Sequence, residues 1–275
     1  MEKARKMVNN LIEILRSEEM RILPGQLAFF MVLSFFAIFP IFGIIGSNYI
    51  STELISIIEK NFPTAVSTII KSLMDVKSSG ISIIMFITFS LYVASNGCEA
   101  MIITSNILYK IRNKNPIKQK IKALFMTIIL ISLIIFIVIV PAFGDLIINA
   151  IEKIAPGKVI DTVRWLFHLL RYPISFILIF FDLKILYTLA PNAKIPSKYN
   201  NYGTLFTTIV WIIITRGYAI YLNNFNTYNI FYGSFGNVVI MLFWIYLLAY
   251  VFTIGLVINS NKYLNSKKSV NQNNE

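Results

Sequence analysis

A few polar and charged side chains stand inside long apolar runs of this chain. Tyr92, Ser95, Asn96, Glu99 and Asn106 share one helical face by their three-, four- and seven-residue spacings. His168, Arg171, Ser175 and Asp182 do the same further on, with Lys184 off to the side, and Arg216 is the only charge of a later run. A charge inside a bilayer costs a few kcal/mol or more, so such residues are the first candidates for function. Depth sorts them. Arg171 and Arg216 each fall about 9 Å from one end of their runs. Glu99, Asp182 and Lys184 fall in the other half, where Lys184 is the natural partner of Glu99 or Asp182. The only acid near the depth of the two arginines is Asp145. That half is net positive and suits an anionic substrate or lipid head group.

Each candidate also has a purely structural reading. Arg171 and Arg216 can snorkel to the interface and bind nothing. Glu99 and Lys184 can be a neutralised pair that only sets helix register. A lone His168 is more often a hydrogen-bonded interfacial residue than a metal ligand, and Tyr and Trp more often form interface belts. With one histidine and one cysteine, Cys98, the chain lacks the donors of a metal-dependent hydrolase and any internal disulfide. It has no phosphate-cradling loop of the Gly-x-x-x-x-Gly-Lys type and no Gly-x-Ser-x-Gly elbow. Neither a cofactor nor a metal is expected, and no enzymatic activity.

The elements that must position these residues are apolar helices. The 275 residues are 56% hydrophobic and 14% charged, with mean hydropathy +0.69, outside the range of ordinary soluble domains. Val238–Ile258 carries no charge and makes about 30 Å of helix, a bilayer's hydrocarbon thickness. The glycine-punctuated Tyr232–Gly236 before it predicts a turn. Further spans are expected over Pro24–Ser47, Gly80–Thr104, Ile121–Asp145, Trp165–Ala190 and Gly203–Leu222, with Pro24 at a helix start and Pro40 as a kink. The fold class is therefore an all-α polytopic membrane protein with six transmembrane helices. Amphipathic helices are expected around Leu54–Ile58, Val66–Leu73 and Leu146–Arg164 in the two longer outer loops. Residues 1–23 form a basic amphipathic segment lying on the membrane or on the protein's own inner face. Residues 24–260 form the membrane domain, and 261–275 a disordered polar tail. The first apolar run is too long for the apolar part of a signal peptide.

The net charge of +12 reports topology. Lys and Arg number 16 in the N-terminal segment, Lys110–Lys122, Ala190–Tyr202 and the tail, against 6 in the opposite loops. The richer side is expected to be cytoplasmic, with both termini inside. Basic loops with few aromatic neighbours do not make a nucleic-acid site.

Three stretches, taken in order, resemble the bacterial YihY/BrkB membrane family, once labelled ribonuclease BN. They are Gln26–Phe30 with Leu33, Ser34 and Pro40; Tyr92-x-Ala94-Ser95-x-Gly97 leading to Asn106 and Tyr109; and Tyr232–Gly236 followed by Trp244, Gly255 and Asn259. Pro191, Asn192 and Gly203 also fall where the family has a proline and a glycine before its fifth helix. Pro40 follows Ser34 at a longer spacing than is usual. The family's closing Gly-x-Glu-x-Asn has Val257 in place of the acid, so no role of that acid carries over. The resemblance implies six membrane helices and a plasma-membrane location. It suggests transport or flipping of lipid-linked or other envelope molecules, ion-coupled transport, or the old nuclease label, which these residues do not support.

The sequence thus points to a transporter or translocation component. Its partners would be membrane lipids and an anionic or lipid-linked substrate, bound by Arg171, Arg216, His168, Glu99, Asp182, Lys184 and Asn106. The alternatives are a non-transporting scaffold in envelope assembly and, further off, an intramembrane lipid-modifying enzyme. Oligomeric state is left open.

Overall fold

The computed structural model describes residues 16–46, 67–68, 70–72, 81–112, 115–132, 158–224 and 228–272. Among these, every regular element is helical. In order they are α1 (Glu18–Gly46), α2 (Ile81–Leu108), α3 (116–132, where description stops), α4 (Lys158–Leu189), α5 (Asn201–Asn224) and α6 (Tyr228–Gln272). A 3-10 turn at Ser197–Tyr199 links α4 to α5.

Local sequence explains several boundaries. α2 stops where Lys110 takes φ 55, a left-handed residue at the position usually held by glycine. Ile111 N–H then reaches back to Asn106 O at 2.8 Å and Lys110 N–H to Ile107 O at 3.0 Å, closing orphan carbonyls. α3 starts from Asn115, whose Oδ1 accepts from the N–H groups of Ile117 (3.0 Å) and Lys118 (3.1 Å). Pro116 follows at the first helical position, where its missing N–H costs nothing.

Four stretches are long and apolar enough to cross a membrane: Glu18–Ile38, Ile84–Leu108, Asn201–Tyr221 and Val238–Lys267. They meet the first, second, fifth and sixth expected spans. The side chains of α4 are described without a break only from 173 to 189, and α3 is described only to residue 132. Large apolar side chains stand exposed on the helices, among them Phe29, Phe89, Phe125, Phe181, Ile213 and Phe243. Such a surface is suited to lipid.

α1 packs mainly on α2 and α6, and α5 on α6 and α4. The main core joins Leu27 of α1, Ile102 of α2, Met126 of α3, Tyr187 of α4 and Phe252 of α6. A second cluster seats Ile70 against Met241 and Ile245 of α6.

Three expectations are corrected. α1 begins at Glu18, so Pro24 lies inside it. Tyr232–Gly236 is part of α6 and not a turn. The tail is helical to Gln272, and the boundary drawn at 260 falls inside that helix. Tertiary contacts hold the polar extension. Tyr263 packs on Tyr109 and Tyr199, Tyr199 shares a 2.9 Å hydrogen bond with Ser266, and Lys262 sits 3.7 Å from the Tyr202 ring centroid. Of the amphipathic segments expected over 1–23 and Leu146–Arg164, residues 1–15 and 146–157 lie outside the described residues, as does Leu54–Ile58, while 158–164 form the start of α4.

Candidate functional site

Three of the five residues of the predicted polar face of α2, Tyr92, Asn96 and Glu99, converge on a residue the sequence assigned to a loop, while Ser95 donates to Tyr92 O at 2.6 Å. Lys120 of α3 donates to Asn96 Oδ1 at 2.6 Å and to Glu99 Oε2 at 2.8 Å, and lies 4.4 Å from the Tyr92 ring centroid. Glu99 is about 13 Å along α2 from Leu108, so Lys120 reaches into the bundle and not out of it. The pair is 18% (Lys120) and 26% (Glu99) exposed. This corrects the expected Glu99–Lys184 partnership. Lys184 instead lies 5.9 Å from the centroid of Phe180, one turn back on its own helix.

Asp182 is half-buried. Its Oδ1 is buried without a hydrogen-bond partner. Cys98 of α2 is close enough to both Asp182 and Thr127 of α3 to interact with them. Thr127 gives its own proton to Ala123 O at 2.8 Å. Lys184, two residues on, faces another direction around the helix.

Asn106 belongs to a layer at the basic end of the bundle. Its Oδ1 accepts from Asn192 N–H at 2.9 Å, and its Nδ2 is buried without a partner. Next to it, Lys122 donates to Ala190 O (3.0 Å), Pro191 O (2.8 Å) and Asn192 Oδ1 (2.9 Å). A cation there complements the carboxyl end of α4. Tyr109 donates to Asn200 Oδ1 at 3.1 Å, and Asn200 Nδ2 donates to Thr188 Oγ1 at 3.1 Å. Burial, with Tyr263 a lesser cause, raises the Tyr109 phenol above its usual range and so keeps this donor protonated.

The residues that carry the family resemblance are largely helix crossings. Ser34 Oγ accepts from Gly97 N–H at 2.8 Å, joining α1 to α2. Gly203 N–H donates to Asn259 Oδ1 at 2.8 Å, where α5 meets α6 at Gly255. Tyr187 of α4 closes the same crossing through Thr207 (2.7 Å) and Phe252 O (2.9 Å). Val257, which replaces the family acid, is fully buried.

Arg216 stands exposed on α5. The His168 and Arg171 side chains, and Asp145, lie outside the described residues; His168 and Arg171 have α4 backbone positions. Among the described residues no three of His, Cys, Asp and Glu gather as a metal site would require. Lys120, Tyr187 and Asn200 were missed as interior contacts. Only Lys120 had a usable signal, its place one turn into a capped helix.

Comparison with known proteins covers the whole described region. The family described as Virulence factor BrkB matches residues 12–275. The ribonuclease-like protein YfkH of Bacillus subtilis (strain 168) is 26% identical over 246 residues, 86% of this chain and 87% of that protein. A UPF0761 membrane protein of Haemophilus influenzae (strain 86-028NP) is 24% identical over 223 residues, 78% of this chain and 76% of that protein. No solved structure matches. With the family match running from residue 12 to the last residue, through all the helix crossings above, the chain belongs to the BrkB family of bacterial membrane proteins.

Proposed function

We propose that this membrane protein moves an anionic or lipid-linked envelope molecule across the plasma membrane, both termini being cytoplasmic. The supporting observation is the Tyr92–Asn96–Glu99–Lys120 cluster. It places an ion pair about 13 Å inside α2, where apolar side chains would build a scaffold at lower cost. Its partial exposure leaves the pair reachable by a polar group. Arg171 and Arg216 supply the anion-binding end. Their charges are permanent, and a guanidinium pairs with phosphate or carboxylate through two parallel hydrogen bonds. His168 lies one turn from Arg171 on α4, where it can add a donor. This set of residues is a binding set and not a catalytic one.

The test uses purified protein in vesicles carrying fluorescent phosphatidylglycerol or phosphatidylcholine in one leaflet, with a membrane-impermeant reductant reporting transfer. Wild type should move the anionic lipid faster than the zwitterionic one. Arg171→Gln with Arg216→Gln should abolish the preference, and the lysine replacements should retain part of it. Transfer of neither lipid beyond the rate in protein-free vesicles refutes translocation and leaves the scaffold reading.

A further inference from the structure

We infer that Asp182 is a proton-binding site within the helix bundle, a carboxyl that holds a proton in the folded protein and exchanges it. It goes beyond the anionic-substrate reading and does not depend on it.

The first observation is an acid with no ion-pair partner among the described residues. Asp182 Oδ1 is buried and accepts no hydrogen bond. Among the described residues, the lysines placed inside the bundle on α3 and α4 are engaged elsewhere. Lys120 of α3 is held by Glu99 and Asn96 of α2. Lys122 of α3 is held by Ala190 O, Pro191 O and Asn192 Oδ1. Lys184, on the same helix, lies against Phe180. The nearby hydroxyls are occupied too, since Thr127 donates to Ala123 O, and Tyr187 bonds Thr207 and Phe252 O. Cys98 is the titratable group of α2 within electrostatic reach of Asp182, and it is also close to Thr127.

The second observation is the company Asp182 keeps. Its neighbours Leu183 and Leu186 are buried in the main core with Cys98 and Met126. A bare carboxylate in such a place costs several kcal/mol unless something neutralises it. A divalent metal would need further carboxylate, imidazole or thiolate ligands, and no group of three exists among the described residues. An alkali cation would need a shell of oxygens, and the hydroxyls of Thr127 and Tyr187 are already engaged with other partners. A proton needs one oxygen. Asp182 lies about 10 Å along α4 from Leu189, deep enough to be shielded and near enough to the basic end to exchange.

The test is chemical modification of the full-length protein by dicyclohexylcarbodiimide, which attacks carboxyls that carry a proton in apolar surroundings. The modified residue is mapped by peptide mass spectrometry. We expect the adduct on Asp182, with a yield that falls about tenfold per pH unit once the acid ionises. Glu99→Gln should label as wild type does, and Asp182→Asn should not label. If Asp182→Asn fails to fold, the wild-type map and pH profile still decide. No adduct on Asp182 at any pH where the protein stays folded overturns the proposal. Suppression of labelling by sodium, relative to choline at equal ionic strength, also overturns it by making the site an alkali-cation site. Modification is read without any transported molecule, so failure of the lipid-transfer test leaves this result standing.

Discussion

Gly203→Ala tests whether the α5–α6 crossing holds the bundle together. A Cβ at Gly203 would collide with Gly255 O, and would stand 2.5 Å from Asn259 Oδ1 and 2.6 Å from Asn259 Cγ. The first obstacle is backbone, so no rotamer change removes it and the helices must separate. Overpacking of this kind costs about 1–3 kcal/mol. Separation also strains the 2.8 Å bond from Gly203 N–H to Asn259 Oδ1, and a buried polar group left unpaired costs about 1–3 kcal/mol more. The two overlap, because one movement causes both, so a loss of about 3 kcal/mol is expected, roughly a hundredfold in the folded-to-unfolded ratio. Gly217→Ala is the control on the same helix. A Cβ there meets nothing within 4 Å, and alanine is the better helix former by about 1 kcal/mol. Unfolding in mixed micelles should therefore move in opposite directions for the two variants. Equal effects would refute the crossing as the cause.

Two further outcomes follow from the site and the charge pattern. Glu99→Gln and Lys120→Met should each cost about 1 kcal/mol or less, since the pair is partly exposed, and the double variant should recover part of the loss. The same cycle run with Lys184→Met should show no coupling to Glu99; unfolding in detergent measures both, and coupling to Lys184 instead would overturn the contact. In a Cys98→Ser background, Asn226→Cys should react with an impermeant thiol reagent from outside and Asn115→Cys should not. The reverse pattern would invert the orientation expected from the 16-to-6 bias in Lys and Arg.

By itself the sequence determined the solvent. Apolar runs as long as Val238–Ile258 are a matter of composition and length, and any packing of them must meet lipid or bury them whole. It also determined local stops and starts such as the Asn115–Pro116 cap, because these bonds close within a few residues. The polar face of α2 was legible for the same reason, since spacing fixes which side chains share a face. What that face would meet was not legible. Lys120 counted as a loop cation until the position of α3 brought it to Glu99, and Lys184 lost its expected partner because α4 turns it toward Phe180.

Only tertiary structure decided what the resemblance residues do. Ser34 meets Gly97, and Gly203 meets Asn259, across gaps in the chain that no local rule spans. The tail makes the same point. Its composition favours disorder, yet Tyr263 and Ser266 are held against Tyr109 and Tyr199, and the helix continues because that packing outweighs weak local preference. Periodicity reports a helix's own geometry. The partner across a crossing depends on how the helices are arranged in space, and a single chain's spacing does not contain that.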